Sequence, residues 1–349
     1  MSARRRGFTA AAVSVAALFA ATACGSSTGK STAAAAPLAD SVSAACTQGA
    51  AEGTVNYWVS YDPDTFKKEI APFEAKYPKI KIVQGVYHGT DITPKLSAEA
   101  QAGHALSADL VEADLPSLAP LVSANLVQNV DWTKFGLPAS QLAGGGAVQG
   151  VRTYRLPIGL AYNTDKVKAS DLPSTWDELA NSRWKGQVIY DPRGDYLQGL
   201  GVAWGYDKAD SWLKKFLAED KPVALQGSTA SLQQVASGQA ELSTSATVDN
   251  VTQLHASGAP IAIKYLDVVP TLDYYAYITK NSPHANAAAC FMSWWAGPQG
   301  TAQRVAIESK PNSTRPTGIA ASASVAALTT AADGDAAAKF STDIADQSK

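Results

Sequence analysis

TVNYWVSYDPDTFKKEIAPFEAKYP, residues 54–78, changes period halfway along. Thr54 to Val59 are β-branched, aromatic and alternating, which predicts a strand. Asp62 then precedes Pro63, a residue suited to the first turn of a helix. Phe66, Ile70, Phe73 and Tyr77 follow at i, i+4, i+7 and i+11, one apolar stripe of a helix. Pro72 lies within the stripe and should kink it, and Pro78 ends it. A strand feeding a helix, and then a second strand in 79–86, is the unit from which parallel α/β sheets are built.

The same alternation continues outward. A helix is expected near 93–102, a strand at 108–111 and a helix opening at Pro116. An extended segment runs over 155–163. A second series has strands at 186–190, 222–225, 240–244, 261–266 and 272–279. Its helices fall near 176–180, 195–204, 207–219, 228–237 and from 247, with apolar helices at 286–296 and 298–307. The last thirty residues are Ala-rich and carry little pattern. The fold class is therefore α/β. A chain of 349 residues exceeds what one core usually serves, so two lobes are expected.

The N-terminus has a different character. Arg4, Arg5 and Arg6 precede an apolar run from Gly7 to Ala23, the layout of a secretory signal over 1–23. Cys24 follows small residues, as in the lipobox of bacterial lipoproteins, although Ala21 stands where Leu is usual. A plain secretion signal with an incidental Cys is the alternative. On the lipoprotein reading Cys24 is lipidated, and acyl chains hold the mature protein at the extracytoplasmic face of the cell membrane. Residues 24–50, rich in Gly, Ser, Thr and Ala, read as a flexible tether. Two motifs inside it carry no chemistry. Gly25-Ser26-Ser27-Thr28-Gly29 has no strand before it or helix after it, as a nucleophile elbow requires. Gly29-Lys30-Ser31 lacks the Gly spacing of a phosphate-binding loop.

Formal charge is −2, or about −5 without the three signal arginines, and no basic stretch follows them. Nucleic acid is not an expected partner. With Cys24 assigned to lipid, Cys46 and Cys290 remain for an oxidising compartment and are expected to form a disulfide; two buried free thiols are the alternative. The four histidines, 88, 104, 255 and 284, are scattered and form no metal-spacing motif. No catalytic residue, cofactor or metal site is assigned.

Several phrases in order resemble type II solute-binding proteins of ABC transporters. They are Phe73 to Pro78, Pro157-Ile158-Gly159 with Ala161-Tyr162-Asn163, Pro173-Ser174-Thr175-Trp176-Asp177-Glu178-Leu179, Asp191-Pro192-Arg193, and Asn281 to Ala288. The nearest branch is that of ferric-iron, phosphonate and sugar-phosphate binders. The resemblance implies a two-lobed periplasmic-binding-protein type II fold, each lobe a mainly parallel sheet flanked by helices. Lobe 1 would hold 51–160 plus 266–349, and lobe 2 would hold 161–265. Cys290 then falls in lobe 1, and Cys46 in the tether shortly before it, which makes their pairing geometrically plausible. A cleft between the lobes would close by a hinge on a small solute and deliver it to an ABC permease.

In open parallel sheets the site lies beyond the carboxyl ends of the strands. Ser60, Tyr61, Tyr87, His88, Asp114, Tyr162, Arg193, Gly194, Ser228, Thr229, Ser245 and Tyr274 are the candidate ligand-binding residues. Ser228 and Thr229 open a helix, where free N–H groups favour anions, or serve as ordinary caps. Arg193 is a bidentate clamp for carboxylate or phosphate, or a surface turn residue. The ferric branch supplies adjacent tyrosines after the 240–244 strand, where this chain reads Ser243-Thr244-Ser245. Tyr274-Tyr275 is a pair, but on a strand whose alternate residues face opposite sides. A small polar organic solute, preferentially anionic, is the expected ligand. Ferric iron and a polyamine are the alternatives, the latter supported by Asp62, Asp114, Asp195 and Asp273. A lipid-anchored secreted enzyme is the remote one.

Overall fold

The computed structural model describes residues 37–144 and 148–349. The signal segment, Cys24 and the start of the tether lie outside the described residues. The strands are β1 (Thr54–Val59), β2 (Lys81–Val86), β3 (Leu110–Asp114), β4 (Leu142–Ala143), β5 (Gly150–Asn163), β6 (Val188–Tyr190), β7 (Val223–Ala224), β8 (Leu242–Thr247), β9 (Ile261–Lys264), β10 (Val268–Ile278) and β11 (Ser324–Ala326). The helices of the first stretch are α1 (Val42–Glu52), α2 (Pro63–Lys76), α3 (Gly89–Gln101) and α4 (Leu115–Ser123). Those of the second are α5 (Trp176–Leu179), α6 (Gln198–Trp204), α7 (Tyr206–Asp220), α8 (Ser228–Ala236) and α9 (Val248–Ala256). The chain closes with α10 (Ala285–Trp295), α11 (Pro298–Glu308) and α12 (Ala331–Gln347).

The strands run β2-β1-β3-β10-β5-β8-β6-β7 across the molecule. β1 pairs in parallel with β2 and β3, and β6 with β7 and β8. Two long strands join these parallel groups. β5 pairs with β10 through its first half and with β8 and β9 through its second. β10 is antiparallel to both β3 and β5. Each parallel group is covered on both faces, so four of the apolar clusters divide two per lobe.

The opening stretch behaves as its pattern predicts. β1 spans Thr54–Val59, and the Asp62 side chain accepts the Thr65 N–H at 2.9 Å to cap α2. Phe66, Ile70 and Phe73 are buried, with Phe291 against Phe73 at 5.1 Å. Two segments depart from expectation. The end of the expected tether, 42–50, lies in a helix, α1, with Ala45, Cys46 and Gly49 buried against α10. A Cβ on Gly49 would fall 2.6 Å from the Ala287 Cα, so glycine lets the two helices meet. The disulfide joins them: Cys46 is bonded to Cys290, 244 positions away. The unpatterned C-terminus forms α12, capped reciprocally by Thr330 and Asp333. Its Phe340 and Ile344 pack with Trp212 and Leu213 of the second lobe, not with the first lobe to which 266–349 was assigned.

Two outcomes are expected. Replacing Cys46 and Cys290 by Ser lowers the free energy of unfolding by about 2–5 kcal/mol in denaturant titrations, because a long loop is no longer closed in the unfolded chain. Glu69 of α2 is fully buried. Burial, then the neighbouring Glu308 carboxylate, push its carboxyl up to about 8, against the pull of Arg304 and Lys310. The native chain therefore keeps a proton that the unfolded chain has released above its ordinary value of 4.5. The stability this confers is complete below that value and is lost as pH rises through the folded one. Between pH 5 and 8 the wild type loses on the order of 1–3 kcal/mol more than Glu69→Gln does, read as the slopes of the two unfolding curves.

Candidate functional site: a cleft between the lobes

Strand ends bring the cleft together. β3 ends at Asp114, which caps α4 through its backbone and leaves its carboxylate without a side-chain capping bond. Asp114 lies opposite Tyr274 in the β3–β10 ladder, so both side chains stand on one face. The Tyr274 ring stacks on Tyr154 at 4.5 Å. His88 precedes α3. From the second lobe, the turn after β6 supplies Arg193, Asp195 and Tyr196. Together these groups line a cavity of about 670 Å³. Ala338 and Ser341 of α12 complete one wall. Gly194 has φ +83°, and a Cβ there would lie 2.6 Å from the Ser341 Cα, so this glycine admits α12.

The charges in the cleft are unevenly satisfied. Arg193 donates Nη2 to Asp191 Oδ2 at 2.6 Å and Nε to both carboxylate oxygens at 3.0 and 3.2 Å. Asp191 also accepts the Arg193 N–H at 3.0 Å and the Gly227 N–H at 2.8 Å. Burial opposes ionisation of Asp191, but Arg193 and the two backbone donors outweigh it and hold the carboxyl below its ordinary value. Asp195 sits 3.9 Å from Arg193. Burial pushes its carboxyl up, as do Asp191 and Asp114, while Arg193 pulls the other way. Burial likewise raises the Tyr274 hydroxyl, and Asp114 adds to it.

At the hinge, Arg155 of β5 stands directly opposite Asp273 of β10. Its Nε and Nη2 reach the two carboxylate oxygens at 2.7 and 2.5 Å, with both side chains buried. Asp273 is thus committed and does not face a ligand. Asp62, another of the four acidic residues considered for a cationic solute, is the exposed cap of α2.

Of the residues expected from sequence, His88, Asp114, Arg193 and Tyr274 meet in the cleft. Others lie elsewhere. Tyr61 is in the core of the first lobe, stacked on Phe66 at 5.6 Å and edge-on to Trp295. Tyr87 stacks on Trp58 at 4.2 Å. Tyr162 packs against the second-lobe core. Ser245 is fully buried in β8. Ser228, buried at the start of α8, accepts from Asn250 Nδ2 at 3.1 Å, whereas Ser60 and Thr229 are exposed. Tyr275 points away from Tyr274 and donates to Asp273 and the Leu328 carbonyl, so the adjacent pair cannot act together. Asp195, considered only for a cationic solute, also lines the cleft, and Tyr196, Ser117 and Ser341 were not among the candidate ligand-binding residues; Asp195 and Tyr196 adjoin Arg193 in the same turn.

Two α/β lobes, two crossover strands and a polar cleft between the lobes define a class: bivalve receptors for small solutes. The sequence pattern of bacterial extracellular solute-binding proteins matches residues 68–344, and the chain belongs to that family, one of binding proteins that work outside the cytoplasm. Ferric iron-binding protein A of Mannheimia haemolytica, solved in an open conformation, superposes with a TM-score of 0.69 at 16% identity, over 84% of this chain and 98% of that one. Iron-bound HitA of Pseudomonas aeruginosa superposes with a TM-score of 0.66 at 17% identity, over 83% and 99%. Iron uptake protein A1 of Synechocystis sp. (strain ATCC 27184 / PCC 6803 / Kazusa) is 36% identical over 88 residues, a stretch spanning 24% of each chain.

Cutting the hinge pair leaves a buried charge unmatched. Asp273→Asn is expected to lower stability by about 3–5 kcal/mol in denaturant melts, because Arg155 stays buried without its counter-ion.

Proposed function

We propose that this protein is the extracytoplasmic receptor of an ABC importer. It captures a small polar organic solute by hinge closure and hands it to the permease. The observation that carries this reading is the cleft of about 670 Å³ lined from both lobes, with His88, Asp114 and Tyr274 facing Arg193, Asp195 and Tyr196. Rotation about β5 and β10 brings those groups onto one ligand, and closure follows from the extra contacts the solute makes in the closed state. A lipid on Cys24 holds the receptor beside its permease; the support is the small-residue run before that Cys. The charge requirement is argued from the side chains. Arg193 turns its Nε–Nη2 edge to Asp191, and Asp114 and Asp195 face the cleft. The solute accordingly presents a cationic group, such as an amine, to the two carboxylates, with Tyr274 and Tyr196 packing beside it. An anion, the solute expected from sequence, has less support, because the forked edge of Arg193 is turned to Asp191. Ferric iron, which two of the structural relatives bind by their names, has weaker support, because Tyr274 and Tyr275 point to opposite faces.

A thermal-shift screen tests the reading. Amines, amino acids, polyamines, phosphonates, sugar phosphates and ferric salts are compared. A member of the amine-bearing classes stabilises the protein by about 2.7 kcal/mol at a hundredfold excess over Kd. The double variant Asp114→Asn/Asp195→Asn loses most of that gain while its own unliganded melting temperature changes little. A screen in which phosphonates or sugar phosphates alone stabilise the chain contradicts the charge assignment. One in which nothing stabilises it, while an ester or phosphate substrate turns over, contradicts the receptor.

A further inference from the structure

Asp191, buried behind the cleft, accepts from donors of the kind that bind an anionic ligand. Its buried carboxylate receives the Nε and Nη2 of Arg193, the Arg193 N–H and the Gly227 N–H. Gly227 is the residue before α8, a helix of nine residues, and its φ of +96° is one that favours glycine. A forked guanidinium and the positive end of a helix therefore converge on one carboxylate, the donor set that recognises phosphate and carboxylate ligands. The start of this helix and Arg193 are the groups that sequence reasoning assigned to the anion of a solute. The protein supplies that anion from its own chain, two residues before the arginine.

We infer that Asp191 is a resident anion that sets the sign of charge the cleft accepts. It takes the Nε–Nη2 edge of Arg193 and the Gly227 N–H, and leaves Asp114 and Asp195, the latter 3.9 Å from Arg193, facing a solute. The inference rests on the cleft being the solute site and names the specificity device within it. Two consequences follow. The wild-type cleft holds free phosphate or sulfate only weakly on Arg193, because the Nε–Nη2 edge that would grip it in a fork is turned to Asp191. Removing the carboxylate opens a formed anion site, since the turn and the helix that carry the donors remain.

The probe is inorganic phosphate, so the outcome does not depend on finding the transported solute. Wild type, Asp191→Ala and Asp191→Ala/Arg193→Gln are melted in phosphate and in potassium chloride of equal ionic strength. Wild type melts nearly alike in both. Asp191→Ala gains roughly 5 °C in phosphate at a hundredfold excess over its dissociation constant. The double variant loses that gain. Asp191→Asn, which keeps the shape of the side chain and removes its charge, guards against an alanine variant that does not fold, and it too gains in phosphate. Overturning results are phosphate stabilising wild type as much as Asp191→Ala, a folded Asp191→Ala or Asp191→Asn that melts alike in both salts, or a gain that survives Arg193→Gln.

Discussion

The contact on which the molecule depends is the ion pair between Arg155 and Asp273. It joins β5 and β10 at the level where both strands pass from one lobe to the other. A fork of two hydrogen bonds, 2.7 and 2.5 Å long, pins one register between the strands. Arg155 also donates Nη1 to the Thr314 carbonyl, which ties the segment after α11 to the same point. Such a pair contributes little net stability over an apolar one, since both ions are dehydrated. Its value is geometric.

α12 adds a second constraint. The Thr329 carbonyl accepts the Gly144 N–H in the first lobe, while Phe340 and Ile344 are packed in the second. The helix thus spans the gap and offers Ser341 to the cleft. The sign of the cleft depends on still more local chemistry. Asp191 offsets Arg193 at short range, beside the Asp114 and Asp195 carboxylates of the same cleft. In a partly dehydrated cleft such charges weigh more than they would in water.

Much of this was legible in the sequence. β1 and α2 could be read because alternation, Asp62, Pro63 and the Phe66–Tyr77 stripe agree at every level. The alternation of strands and helices was enough for the α/β class, and strand ends pointed to His88, Asp114, Arg193 and Tyr274. The failures are long-range or single-residue effects. α1 is a run of small residues whose burial depends on α10, more than two hundred positions away. α12 showed only Thr330 with Asp333 and the i, i+4 pair Phe340 and Ile344. Ser245 is a strand residue turned to the buried face, where one step along the strand decides the side, and Tyr61, in the loop after β1, is drawn into the core by Phe66 and Trp295. Asp191 was visible two residues before Arg193, but its second donor, Gly227, is brought to it by the β6–β7 pairing.

The central claim is that two rigid lobes close on a solute about β5 and β10. Small-angle scattering with a saturating amount of a solute that raises the melting temperature tests it most directly. The account predicts a smaller radius of gyration with the solute than without. An unchanged radius at saturation would contradict it, because the bound molecule would then sit on a cleft that does not close.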